Sequence, residues 1–269
     1  MDRSARPLPR FQRPAPRLGA CALAALVALA PLPALALGAG FFDPFERFDP
    51  ERWYISDGWT NGAHQNCTWA RSAIGIDDGT LRLRFLPDAG TDPKAPHLCG
   101  EIQTRQRFGP GTFEARIRSD RGSGFNAAFF TYIGPTHDAP HDEIDFEILT
   151  RDTGAVWTNR FVDGKDRGAG RSVPVSPATD AAFHDYAFIW EPDRLRWFVD
   201  GVLVREETRH IPTEPQKIFA SLWASDTLTQ WMGPFETPEA AREMVIDWIA
   251  YTPLGAGCAF EESLLCQLR

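Results

Sequence analysis

Short runs in which apolar and polar residues alternate recur along most of the chain, separated by Gly, Pro, Asp and Asn. A period of two sends successive side chains to opposite faces of an extended backbone, so each run predicts a strand with one buried face. Thr80-Leu81-Arg82-Leu83-Arg84-Phe85, introduced by the turn-forming Asp77-Asp78-Gly79, is one such run. Gly111 to Arg118 and Tyr186 to Trp190 are others. Leu195 to Val199, Asp200-Gly201 and Val202 to Arg205 predict a hairpin, because Asp-Gly supplies the positive φ angles of a two-residue hairpin turn. One stretch reads as a turn or two of helix, Pro238 to Met244, where an early Pro precedes Glu239, Ala240, Ala241 and Arg242. Many strands and almost no helix predict an all-β sandwich or jelly roll in a single domain, with no linker and no internal repeat.

The amino end breaks this pattern. Arg3, Arg6, Arg10, Arg13 and Arg17 precede an apolar run from Leu18 to Leu32 and the small-residue triplet Ala34-Leu35-Ala36. That order predicts a secretory signal peptide over residues 1–36. A membrane anchor needs about 20 unbroken apolar residues, and Pro31 and Pro33 interrupt this run. Loss of those arginines and Asp2 takes the formal net charge from −8 to −12, a surface that repels nucleic acid and anionic membranes. No Lys/Arg cluster appears in the remainder, so a neutral or modified polymer is the expected partner of a monomeric, exported protein. Cys21 leaves with the signal, and Cys67, Cys99, Cys258 and Cys266 remain for two disulfides. Three pairings are possible; the simplest joins the neighbouring tail cysteines Cys258 and Cys266 and leaves Cys67 with Cys99. No His/Cys pair has zinc spacing, and no cofactor is expected for catalysis.

The chemistry concentrates in His141-Asp142-Glu143-Ile144-Asp145-Phe146-Glu147-Ile148-Leu149. As a strand this segment sends Glu143, Asp145 and Glu147 to one face and Ile144, Phe146 and Ile148 to the core. Glu143 and Glu147 stand about 13 Å apart at Cα, and leaning side chains bring their carboxyls to the roughly 5 Å of a retaining glycosidase. Three like charges this close cannot all ionise easily, so at least one proton stays near neutral pH. A solvated edge strand would favour lysine over an acid at every second position.

Asp142-Glu143-Ile144-Asp145-Phe146-Glu147 resembles the signature of glycoside hydrolase family 16, whose members are β-jelly-roll endoglycanases. The resemblance implies two curved antiparallel sheets with a concave substrate cleft over residues 37–253, followed by a short tail, 254–269. It extends to Phe41-Phe42-Asp43-Pro44-Phe45, Asn61-Gly62, Asn66-Cys67-Thr68-Trp69, Phe129-Phe130-Thr131-Tyr132 and Trp197-Phe198-Val199-Asp200-Gly201. The unbulged acid spacing is similar to that of the lichenase and xyloglucan-transglycosylase branch. By this likeness Glu143 is the nucleophile, Asp145 its assistant and Glu147 the acid/base. Asn61, Glu101, Asn159, Trp223 and Trp231 fall at glucan-binding positions, and Cys67–Cys99 at the lichenase disulfide. A structural calcium is implied at the Asp247 carboxylate with the carbonyls of Pro44 and Gly79.

Departures are informative too. Gln103 stands where lichenases carry arginine, His141 replaces a tryptophan and Ser221 an asparagine. His141 is expected to contact sugar, and His64 and Gln65 to shape a distal subsite. Ser56 to Trp59, Asn61 to Trp69, Cys99 to Thr104, Pro140 to Phe146 and Ala250 to Gly255 resemble the succinoglycan-depolymerase branch of endo-1,3-1,4-β-glycanases. The resemblance therefore implies a secreted enzyme that hydrolyses a succinoglycan-like β-glucan with retention. A lichenase, a transglycosylase and a non-catalytic glucan-binding protein are the alternatives.

Overall fold

The computed structural model describes residues 37–268, and the expected signal peptide lies outside them. The alternating runs are strands. Thr80–Leu86 buries Leu81, Leu83 and Phe85 and leaves Thr80, Arg82 and Arg84 at its other face. The hairpin pairs Val199 with Val202, with Asp200 at φ 48° and Gly201 at φ 77°, as a two-residue turn of that chemistry requires.

Two antiparallel sheets form the jelly roll. One, the cleft sheet, runs in the order Arg171–Pro174, Ala155–Phe161, Asp142–Leu149, Phe125–Ile133, Lys217–Ala224, His97–Thr104, Trp53–Ile55. The other, the outer sheet, runs Thr80–Leu86, Arg242–Pro253, Gly111–Ser119, His184–Glu191, Arg194–Val199, Val202–Glu207. His97–Thr104 joins them, pairing with Lys217–Ala224 in one sheet and through Cys99 and Leu98 with Thr80–Leu86 in the other. Between the sheets lies an aromatic core in which Phe146 of the cleft sheet packs on Tyr186 and Phe188 of the outer one.

The helix expected at Pro238 to Met244 is not formed: Arg242–Pro253 is the longest strand, and residues 238–241 are irregular. Met244 pairs with Leu83 on one side and Ser119 on the other, and Met244, Val245 and Ile246 are buried. A helix this short is marginal by itself, whereas a strand here completes two ladders at once. The helices among the described residues are the four-residue α-helical turns Thr229–Met232 and Leu264–Gln267 and the 3-10 turns Arg71–Ala73 and Pro135–His137. None is long and apolar enough to cross a membrane.

Both disulfides follow the simplest pairing, Cys67 with Cys99 and Cys258 with Cys266. The first ties the Asn61–Gln65 loop to the strand that carries Glu101. The second closes the tail, whose Leu264 packs on Ala187, Ile189 and Phe198 of the outer sheet. Glu114 receives hydrogen bonds there from Ser263 Oγ and the Leu264 amide.

Candidate active site

The carboxylate strand sits inside the cleft sheet with its core face fully used: Ile144, Phe146 and Ile148 are all buried. Glu143, Asp145 and Glu147 therefore share the opposite face. Across the ladder Glu143 stands beside Tyr132 and Phe161, Asp145 beside Phe130 and Asn159, and Glu147 beside Ala128 and Trp157. The three acids, with Tyr132, Phe130 and Ala128 on one side of them, form the floor of a cavity of about 900 Å³ that runs across the strands and is also lined by Tyr54, Trp59, Asn61, Glu101 and Trp223.

Burial decides the electrostatics. It pushes the Glu143 carboxyl up to about 8; the Glu147 charge adds to the rise and a hydrogen bond from Asp145 works against it. Asp145 is held well above the usual carboxylate range by burial and by Glu143, against the pull of Arg205. Its Oδ2 is buried without a hydrogen-bond partner, an environment that disfavours a charge there and favours the protonated acid. Glu147 is likewise raised by burial and by Asp145, and Asn126 Nδ2 donates to its Oε1 at 3.0 Å. The expectation that the triplet keeps a proton near neutrality thus has a structural basis in burial more than in mutual repulsion.

His141 places its Nε2 2.6 Å from Glu143 Oε2. Its ring is stacked on Phe161 at 5.1 Å and meets Tyr132 edge-on, and burial lowers its pKa so that it stays neutral. It lines the cleft, yet its polar atom is spent on the strand's first glutamate.

A match to the family model described as "Glycosyl hydrolases family 16" covers residues 61–250. The chain belongs to glycoside hydrolase family 16. It is therefore a retaining glycosidase. It is 48% identical to "Endo-1,3-1,4-beta-glycanase ExoK" of Rhizobium meliloti (strain 1021), over 85% of this chain and 84% of that protein. To a "Beta-glucanase" of Bacillus subtilis (strain 168) it is 36% identical, over 80% of this chain and 87% of that one. The solved Bacillus licheniformis β-glucanase superposes with a TM-score of 0.75 at 32% identity, covering 80% of this chain and 98% of that one.

In this family 16 chain the residues expected to bind glucan divide into groups. Asn61, Glu101 and Trp223 line the cleft, and His64 joins them, packed edge-on against Trp223 at 5.6 Å. Gln65 does not line it; it is buried and donates to the Cys67 carbonyl. Asn159 is buried beside Asp145, on the same face of the sheet, with its Oδ1 unpaired, and it does not line the cleft. Trp231 lies 6.4 Å from Trp223, yet lines a neighbouring hollow of about 350 Å³ with Trp157 and Arg151. Glu101 is the most perturbed of the group: burial pushes it up to about 8, although Ser56 Oγ donates to it at 2.6 Å.

Sequence reasoning missed the supports of the hydrolase's acids. Asn126, which holds Glu147, carries no motif of its own, and only the register of two strands brings it there. Asp142 is another: its carboxylate accepts from the amides of Asp163, Thr213 and Glu214 and so pins two loops to the start of the carboxylate strand. Trp197 Nε1 reaches through the core to the Asp145 carbonyl.

The residues expected to hold calcium gather on the outer sheet, away from the cleft. Phe41–Asp43 and Thr80–Leu86 pair with separate stretches of the Arg242–Pro253 strand, and Asp247 lies between those stretches, with Pro44 and Gly79 just beyond the ends of the two strands. Asp247 Oδ2 is 3.2 Å from Arg116 Nε, and Arg116 also pairs with Asp185 at 2.8 Å. A carboxylate and two backbone oxygens suit a hard cation. They fit calcium provided the cation takes Asp247 and leaves Arg116 to Asp185.

Proposed function

We propose that this protein is an exported endo-1,3-1,4-β-glucanase acting, as a monomer, on a succinoglycan-like bacterial β-glucan. The observation that carries the reading is the row of Glu143, Asp145 and Glu147 on the floor of a long cleft, Asp145 buried and the two glutamates half-buried. Glu147, protonated, gives its proton to the glycosidic oxygen as the Glu143 carboxylate attacks the anomeric carbon. The C–O bond breaks and a glycosyl ester forms. Asp145 keeps its proton and shares it with Glu143, which favours the ionised nucleophile. Glu147, now ionised, takes a proton from water as that water attacks the ester, and both carboxyls return to their starting states with configuration retained.

The 1,3-1,4-β linkage is supported by the printed name of the 48% identical relative, and the choice of a decorated glucan by Gln103, His141 and Ser221, which replace larger or more strongly binding groups along the cleft. Asn61, Glu101 and Trp223 position the chain, and Trp231 extends the stacking surface beyond Trp223. Asn159 acts from beside Asp145. The basic-then-apolar amino end supports export. Digestion of mixed-linkage β-glucan and of succinoglycan, followed by NMR of the anomer first released, tests the reading. Retained β configuration is expected, with Glu143→Gln and Glu147→Gln each slowed by at least about 10²-fold. Full activity in Glu143→Gln, or no turnover of either polymer, would sink it.

Calcium at Asp247, Pro44 and Gly79 is a structural part of the proposal. The melting temperature should rise with added calcium in the wild type, as for any ligand that binds only the folded state, and not in Asp247→Asn. A calcium-independent melt of the wild type removes the site.

A further inference from the structure

Positive charge collects at the Glu143 end of the cleft, from residues more than a hundred positions apart in the chain. Lys217 opens the strand whose cleft face continues with Phe219, Ser221 and Trp223. It is paired in register with Tyr132, which is itself paired with Glu143. Lys217 therefore stands two strands from Glu143 in the same row, about 10 Å at the usual strand spacing. Its Nζ donates to Oε1 of the cleft residue Gln103 at 2.9 Å. Arg105 and Arg107 follow the end of the strand that carries Gln103. Arg107 donates to the His137 carbonyl at 2.8 Å; Arg105 donates to the Pro50 carbonyl at 2.7 Å and lies 5.7 Å from the ring of Tyr54.

Every one of these partners is a neutral amide or carbonyl. Among the described residues no carboxylate pairs with Lys217, Arg105 or Arg107. After burial, the charges of Arg107 and Arg105 are what lower the Lys217 pKa, and Lys217 and Arg107 act likewise on His137. In a chain with 36 acidic residues and a net charge of −8, three mutually repelling cations without an anion mark a place where one is missing.

We propose that Lys217, Arg105 and Arg107 form an anion subsite at the Glu143 end of the cleft, and that it takes a carboxylate substituent carried by the glycan. This rests on the glucanase reading and narrows its substrate class to β-glucans bearing acidic groups. A uniformly charged polyanion does not suit the site, because the chain as a whole is acidic, with a net charge of −8. An isolated carboxylate on an otherwise neutral chain does suit it, with the ammonium as a point charge and a guanidinium as a fork.

The test uses mixed-linkage β-glucan lightly substituted with carboxymethyl ethers and the same glucan substituted to the same degree with neutral hydroxyethyl ethers. The wild-type KM is expected to be about tenfold lower for the carboxymethyl polymer, the size of one charge-assisted hydrogen bond. The preference should fall toward one in Lys217→Met and Arg107→Gln, and in the wild type at ~0.5 M sodium chloride, where charges are screened within about 4 Å. Equal KM values for the two ethers overturn the subsite. So does a preference that survives in the variants, which would leave the cations the purely structural task of holding His137 and Gln103. Failure to turn over the parent glucan, both ethers and succinoglycan alike overturns the glucanase reading and this inference with it, whereas turnover without ether preference overturns the subsite alone. Should Lys217→Met not fold, Arg107→Gln, whose side chain is nearer the surface, carries the comparison.

Discussion

His141 is both a wall of the cleft and a partner of Glu143, and the second role has a measurable sign. Phe161 beneath the ring and Tyr132 at its edge fix its orientation, so Nε2 meets Glu143 Oε2 at 2.6 Å without rotational freedom. With the imidazole kept neutral by burial, Nε2–H donates to the carboxylate and favours its ionised form. His141→Phe keeps the stack and removes the donor, so the nucleophile becomes harder to ionise. The acidic limb of the kcat/KM profile should move up by roughly half to one pH unit. If His141 served only as a sugar contact, KM would rise and the limb would stay where it is.

The strand bearing the acids was legible because one period-two segment carried both the chemistry and the core pattern. Its alternation placed Glu143, Asp145 and Glu147 on one face and Phe146 on the other before any partner strand was known. Pro238 to Met244 misled because seven residues of mixed propensity carry no period, and pairing with two strands decided their state. The supports at Asn126 and Asp142, and the gathering of Lys217 with Arg105, are properties of register, which no single element contains. The Cys67–Cys99 bridge works at this scale as well. It joins the short Cys67–Trp69 strand to the edge of His97–Thr104, and Gln65 hangs from it by a bond to the Cys67 carbonyl. Cys67→Ala with Cys99→Ala should cost about 3–4 kcal/mol by the loop-closure argument. It should also raise KM more than it lowers kcat, since the loosened loop holds Asn61 and His64 but none of the acids; an unchanged KM would show that the loop is held by packing alone.

The whole molecule carries an unusual load of buried acid. Glu101 and Glu143 are pushed up to about 8 and Glu114 to about 7, and Asp145 and Glu147 also lie well above their ordinary range, with burial the leading cause in each. Between their unfolded values near 4.5 and these raised values, the folded protein holds protons that the unfolded chain has released. Stability from these groups is thus complete below about pH 4.5 and is lost as pH rises toward 8. Buried His97 and half-buried His137 and His141, whose pKa values desolvation lowers, act in the opposite sense, losing stability as pH falls below about 6.5. Comparison with a single isosteric change separates the two. Glu101→Gln leaves the neutral side chain that the fold prefers, so its unfolding free energy from urea titration should match the wild type near pH 5 and exceed it at pH 8, by an order of a few kcal/mol. An offset that is the same at both pH values would mean that solvent reaches Glu101 and that burial does not govern its proton. The expected divergence would instead identify the cleft's acids as groups held at a cost to the fold, which is the condition under which one carboxyl can keep a proton beside another that has lost it.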